Sequence, residues 1–315
     1  MTSQITNQIM MIRPVAFHMN EQTAVNNYYQ KSEEGSTPGE IQAEALAQFD
    51  GFVEKLRAEG VEVLVIDDTI EPATPDSIFP NNWISFHEDG TIRLFPMFAE
   101  NRRQERRVDI LEEIRNQFKV ENIVSFVDWE EKGAYLEGTG SLLLDRQNKI
   151  AYAAISDRTM PDPLKEFCEE AGYKAVTFHA NQSVDGARLP IYHTNVMMCL
   201  GEQFAVVCMD SIDDPIEQEI LKESLKKNGK ELIEISEEQK EQFAGNMLQV
   251  KGNNGPLVVM SSAAYHSLDQ KQIECISAHG KILHSDIHTI EKLGGGSARC
   301  MMAEIFLPKQ NQQNA

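Results

Sequence analysis

Four polar residues and one cysteine recur about every 54 residues along this chain. They are Asn82, Glu137, His193, Asn246 and Cys300. Each stands at the front edge of an apolar, strand-like run: NNWISF, EGTGSLLL, HTNVMMCL, NMLQV and CMMAEIFL. A period of this size marks a repeat architecture. If five units close into a ring, the five positions converge on one axis. Cysteine, histidine and glutamate meeting there form a nucleophile, a base and an orienting carboxylate.

The neighbours of these residues sharpen the chemistry. Cys300 follows Leu-Gly-Gly-Gly-Ser-Ala-Arg. Three glycines let the backbone approach a ligand, and their amides with Arg299 would favour the thiolate. His193, in Tyr-His-Thr-Asn, serves as general acid and then general base near neutral pH. Glu137, in Leu-Glu-Gly-Thr-Gly-Ser, would orient the imidazole and stabilise its charged form. Asn195 lies two residues after His193, so on a strand it shares that face. Asn82 and Asn195 offer amides, with donors as well as an acceptor.

The elements that must position these residues read as strand, strand, helix, strand, repeated. NNWISFHEDGTIRLFP makes a hairpin turning at Glu88-Asp89-Gly90. NRRQERRVDILEEIRNQF follows as a helix, and IVSFVD closes the unit. Three more units follow, with helices over PDPLKEFCEEAG, DPIEQEILKESLKKNG and AAYHSLDQKQIECISAHG. Proline at the helix entry and Gly172 or Gly229 at the exit suit the first two of these. The fifth unit is split across the termini. CMMAEIFLP supplies its first strand, and IMMIRPVAF, the helix GEIQAEALAQFDGFVEKLRAEG and VEVLVID supply the rest. That pairing makes residues 1–315 one α/β propeller domain with no exposed seam. Residues 18–38 form a long polar loop suited to a lid, residues 181–191 a second loop leading to His193, and residues 309–315 a disordered tail.

Composition narrows the function classes. The 315 residues are 41% hydrophobic and 25% charged, with 29 Lys+Arg against 49 Asp+Glu, a net charge of −20. A surface this acidic repels phosphate backbones and anionic membranes, so neither nucleic acid nor membrane is an expected partner. The five cysteines (Cys168, Cys199, Cys208, Cys275, Cys300) include no CxxC pair. A structural zinc site is therefore not expected, and the chain reads as cytoplasmic and reduced. No signal peptide or membrane-spanning run is apparent.

With RPVAF, FPNNWISFH, NRRQER, LEGTGS, YHTN and GGGSARCM in view, the chain resembles the guanidino-group modifying, or pentein, superfamily over nearly its whole length. This superfamily includes arginine deiminases, dimethylarginine dimethylaminohydrolases and amidinotransferases. The nearest look is to citrulline hydrolases (citrullinases). The resemblance implies a five-bladed pseudo-symmetric α/β propeller of ββαβ units, the catalytic set Cys300, His193 and Glu137, and no metal or organic cofactor. It places the Arg that holds a substrate carboxylate on Arg158, in ISDRTM, and a second basic residue on Arg102 or Arg103, in NRRQER. The expected substrate-binding set is Asn82, Asn195, Arg158, Asn81, Arg103 and Asn246.

One departure bears on the substrate. Deiminases carry Asp at the positions of Asn82 and Asn195, where paired carboxylates grip a cationic guanidinium. Two neutral amides cannot balance that buried charge, but they suit a neutral ureido group. The expected activity is hydrolysis of a citrulline-like amino acid, a small-molecule substrate, to ornithine, CO2 and ammonia through an S-carbamoyl cysteine. A deiminase or amidinotransferase acting on a guanidino substrate is the alternative. An inactive binding propeller is the third reading.

Overall fold

The computed structural model describes residues 2–32 and 35–310. Five three-stranded sheets are present among them. The four internal blades use residues 84–125, 143–178, 198–234 and 248–285. In each, the first two strands are antiparallel and the third returns parallel to the second. The parallel return requires a crossover, which the helices provide. The remaining blade joins the two ends of the chain. Ala303–Glu304 pairs antiparallel with Gln8–Arg13, which pairs parallel with Glu62–Asp67. First strands of neighbouring blades lie side by side, as Ala303–Glu304 does with Ile84–Phe86 and Met198–Leu200 with Leu248–Gly252. The fold is a five-bladed α/β propeller.

The helices cover the outer faces. Pro38–Ala58 begins in a capping box between Thr37 and Glu40 and buries Ala45, Phe49, Phe52, Val53 and Leu56. This spacing lays one apolar stripe against the sheet. Truncating Phe49 to Ala would cost about 3–5 kcal/mol. Pro161–Ala171 ends at Gly172 in the left-handed region, as its sequence implied. Phe167 of that helix makes a cluster of aromatic contacts with Phe95, Phe126 and Tyr173.

Several local expectations change. The helix read over NRRQERRVDILEEIRNQF is two elements, a 3-10 turn at Asn101–Glu105 and an α-helix at Val108–Gln117. The helix read over residues 263–280 breaks at Leu268, because Asp269 starts a new helix with a capping box to Gln272. Residues 181–191 are not a plain loop. Asn181–Val184 and Ala187–Pro190 form a hairpin whose turn residues Asp185 and Gly186 both have positive φ, the Asp-Gly signature of a two-residue turn. Lys309 bridges to Phe118, and the Gln310 amide donates to the Gln117 carbonyl, so these two residues are not a free tail. Residues 311–315 lie outside the described residues, as do residues 33 and 34 of the loop read as a lid. No described helix is long and apolar enough to cross a membrane.

Candidate active site

Each repeat residue is delivered by the segment just before its blade's first strand. Asn82 ends the 3-10 turn Pro80–Asn82, one residue before the strand Ile84–Phe86. Glu137 and His193 precede one-turn helices, Gly138–Ser141 and Thr194–Met197, that run into the next strands. Cys300 lies in the turn that leads to Ala303–Glu304, its amide donating to the Ser297 carbonyl at 2.9 Å. The five positions do converge. Asn82, His193 and Cys300 line one small cavity together with Asn27, Asp76, Phe79, Arg102, Arg158, Tyr192 and the glycines 294–296. Glu137 and Asn246 stand directly behind His193 and Cys300.

The His193 ring presents Nε2 to Glu137 Oε2 at 2.7 Å. The other Glu137 oxygen accepts from the Phe98 amide at 2.9 Å. Burial works against ionisation of Glu137, yet Arg158, the His193 bond and Arg102 together hold its carboxyl well below the usual range. Burial, reinforced by the two arginines, holds the His193 imidazole below its ordinary value despite the opposing pull of Glu137. The resting pair at neutral pH is thus a carboxylate and a neutral imidazole. His193 Nδ1 faces Gly140, where a Cβ would come within 2.9 Å of it and overlap the Asn82 amide. The absent side chain lets both groups reach the cavity.

Around the sulfur the structure places side-chain amides. Asn195 Nδ2 and Asn246 Nδ2 lie 3.4 and 3.3 Å from Cys300 Sγ. Asn246 Nδ2 also donates to the Asn195 carbonyl at 2.8 Å, and Asn246 Oδ1 accepts from the Arg299 amide at 2.9 Å. Asn246 therefore holds the thiol from behind and is not among the residues lining the cavity. Asn81, also expected in the cavity, packs under it, its Oδ1 accepting from Asn82 Nδ2 at 3.1 Å. Asn195 does not reach the sulfur by strand alternation. Residues 194–197 form a helical turn, which swings Asn195 toward Cys300 while His193 faces Glu137.

The basic residues rearrange the expectation further. Arg102, not Arg103, lines the cavity. Consecutive residues in a 3-10 turn point about 120° apart. Arg103 accordingly faces outward, donating to the Met97 carbonyl and lying 3.5 Å from Glu130. Arg102 is buried, donates to both Glu105 oxygens at 2.8 and 3.0 Å, and gives Nη1 to Asn82 Oδ1 at 2.8 Å. The Arg299 guanidinium turns away from the thiol to the Met302 carbonyl and Glu304. The amides of Arg299, Cys300 and Met301 are all engaged within the turn or by Asn246. The two donors placed beside the sulfur among the described residues are the side-chain amides of Asn195 and Asn246.

Residues 18–32 lie over this site. Asn20 Nδ2 and Thr23 Oγ1 donate to Asp76 Oδ2 at 2.8 and 3.0 Å. Arg158 donates to the Thr23 carbonyl at 3.0 Å and to Asn26 Oδ1. Asn27 Nδ2 bonds the Gly294 and Gly295 carbonyls, each at 3.3 Å. The enclosed space is about 10 Å3, room for a single water. That space is smaller than an amino acid.

Asp76 and Asn27 escaped the sequence reading. Asp76 sits in Thr-Pro-Asp-Ser, which reads as an ordinary turn, and Asn27 lies in a run of polar residues without periodicity. The structure gives Asp76 Oδ1 no partner among the described residues, and the same holds for Asn195 Oδ1 and Asn81 Nδ2. Buried polar groups are rarely left this way except where a ligand or water completes them.

A closed five-bladed α/β propeller with cysteine, histidine and glutamate on its axis defines a guanidino-group modifying enzyme of the pentein superfamily. The chain belongs to the N,N-dimethylarginine dimethylhydrolase family, whose eukaryotic model matches residues 13–307. No curated protein matches the chain. Among solved structures it is similar to an arginine dihydrolase, ArgZ, from the ornithine–ammonia cycle in cyanobacteria. The TM-score is 0.74 at 16% identity, over 96% of this chain and 41% of that one. The chain thus spans less than half of that protein. Against its N-terminal domain alone, with substrate bound, the TM-score is 0.73 at 16% identity, covering 96% of this chain and 98% of the domain. A dimethylarginine dimethylaminohydrolase adduct with S-methyl-L-thiocitrulline gives 0.64 at 16% identity, covering 96% of this chain and 100% of the other. Enzymes of this superfamily act on C–N bonds of arginine derivatives.

Proposed function

We propose that this protein hydrolyses the ureido group of a citrulline-like amino acid. The observation that carries the reading is the bond from Arg102 Nη1 to Asn82 Oδ1. A guanidinium has only donors, so Arg102 holds the Asn82 oxygen and leaves this cavity-lining amide its NH2 group, one hydrogen of which goes to Asn81 Oδ1 while the other is left for a ligand. A substrate guanidinium also has only donors and would meet donors there. A ureido oxygen is an acceptor and is matched by Asn82 Nδ2 and Asn195 Nδ2.

The reaction follows from these placements. His193 takes the thiol proton as Cys300 Sγ attacks the ureido carbon. Asn82 and Asn195 donate to the developing oxyanion, each such donor lowering the barrier by roughly 3–4 kcal/mol. The C–N bond to the amine breaks, His193 returns the proton to the leaving nitrogen, and ornithine departs. Water, activated by His193, then attacks the S-carbamoyl group. Carbamate leaves and decomposes to CO2 and ammonia, with one water consumed overall. Glu137 orients His193 throughout. Arg158 holds the substrate carboxylate once Thr23 and Asn26 withdraw. The N-terminal domain of the cyanobacterial arginine dihydrolase has been seen covalently bound to a reaction intermediate, which supports a covalent route.

A guanidino substrate is the second reading, and it rests on Asp76, whose unpartnered oxygen in the same cavity offers a carboxylate to a cation. Incubation of the purified protein with L-citrulline and L-arginine in parallel, with products read by mass spectrometry, separates the two. Ornithine from citrulline is expected, abolished in Cys300→Ala with the fold retained. Turnover of arginine with citrulline inert would establish the second reading instead.

A further inference from the structure

A second cavity, of about 420 Å3, lies on the other side of the segment that covers Cys300. Tyr29 and Lys31 of that segment form one wall, and Glu291 of the helix His288–Gly294 forms another, with Glu241, Phe243 and Ala263 completing it. Tyr29 is 6% exposed, and its hydroxyl is buried without a hydrogen-bond partner among the described residues. Its ring packs on Phe243 at 5.1 Å. The Tyr29 phenol lacks a partner, and the cavity it helps to line carries Lys31 and Lys292 with Glu241 and Glu291 over an aromatic floor of Phe243, Glu241 also accepting from Lys240 at 2.7 Å.

We infer that this cavity is a second binding site for a free α-amino acid. The ligand carboxylate would accept from Tyr29 and Lys31, and its ammonium would face Glu241 and Glu291. The volume lies in the range of small-molecule sites, and the lining carries both signs of charge that a zwitterion requires.

Occupancy would be felt at the nucleophile. The cavity's own walls are the segment's anchor, since the Lys31 amide donates to the Lys292 carbonyl at 2.7 Å and Gln30 Nε2 to the Leu293 carbonyl at 3.2 Å. Glu291 Oε1 accepts from Ser297 Oγ at 2.6 Å, and the Ser297 carbonyl accepts from the Cys300 amide. A ligand bridging Lys31 and Glu291 ties the covering segment to the helix that leads into Cys300, and so holds the cover down.

The test reads cover opening without assuming any substrate. Alkylation of Cys300 by iodoacetamide would be followed by peptide mass spectrometry on the full-length protein, with L-ornithine, L-glutamate or L-leucine added. At least one of these should slow alkylation saturably, by about 5-fold or more, a rate change that corresponds to about 1 kcal/mol. The slowing should disappear in Tyr29→Phe, Lys31→Met and Ala263→Trp. Tyr29→Phe removes only the hydroxyl, so it remains informative if the bulkier change unfolds the protein. If none of the three amino acids slows alkylation, or the slowing persists undiminished in Tyr29→Phe and Lys31→Met, the second site does not exist as described.

Discussion

His193 and Glu137 share a 2.7 Å hydrogen bond across two blades of the propeller, with both side chains out of solvent. Nothing local in the sequence joins them. The ring brings together two residues whose segments each end just before an inner strand, and the bond commits Nε2 to Glu137 and leaves Nδ1 on the side of Gly140.

Acid should weaken the fold through this pair. An unfolded histidine titrates near 6.5, and the folded His193 titrates lower because burial opposes its charge. Between the two values the unfolded chain holds more protons, so stability is lost as pH falls below about 6.5. Glu137 adds loss of the same sign below about 4.3, where the unfolded carboxylate takes a proton that the folded one refuses. Urea midpoints at pH 7.5 and 5.5 should show wild type losing about 1 kcal/mol more than His193→Gln. Equal losses in the two proteins would mean that His193 stays protonatable when folded.

Gly140 should tolerate no side chain. Its backbone is ordinary, so alanine brings no strain of its own, but the new Cβ would push both the Asn82 amide and His193 Nδ1. A displacement of this size can cost about 100-fold in rate. Gly140→Ala should therefore keep its melting temperature within a few degrees while kcat falls by that order. An unchanged kcat would show that the approach of these groups is not needed.

Substrate charge preference should follow the two amides. With Asn82→Asp and Asn195→Asp combined in a Cys300→Ala background, calorimetric affinity should shift from L-citrulline toward L-arginine by about 10-fold or more, since charge-assisted bonds are roughly twice as strong as neutral ones. A ratio that does not move would remove these residues from the specificity argument.

The cover should open faster when its anchor is cut. Asn27→Ala removes the bonds to the Gly294 and Gly295 carbonyls. Losing a buried bond costs about 1–3 kcal/mol, so Cys300 alkylation should speed up by about 5- to 160-fold. An unaltered alkylation rate would place the barrier to access elsewhere in residues 18–32.

The sequence carried the parts of this design that repeat. Periodic polar residues before apolar runs located Cys300, His193, Glu137, Asn82 and Asn246, because every blade solves the same packing problem in the same order. Helix ends at Gly172 and Gly229 were legible from local chemistry, and both adopt positive φ. What the sequence hid depends on direction and distance. Arg102 and Arg103 are adjacent and identical, and only the rotation of a 3-10 turn decides which faces inward. Asp76 and Asn27 are turn and loop residues with no periodic signature, and they reach the site because distant segments fold over it. The one-turn helices at Gly138–Ser141 and Thr194–Met197 are too short for any pattern to report.

The strand that closes the ring also orders assembly in time. Ala303–Glu304 pairs with Gln8–Arg13, and Cys300 is three residues ahead of that strand. During synthesis the four internal blades, with Asn82, Glu137, His193 and Asn246, leave the ribosome before the thiol does. Cys300 is therefore the last of the five repeat residues to emerge, together with the strand that joins the two ends of the chain. A nascent chain stalled before residue 300 carries Asn82, Glu137, His193 and Asn246 and lacks both Cys300 and that strand.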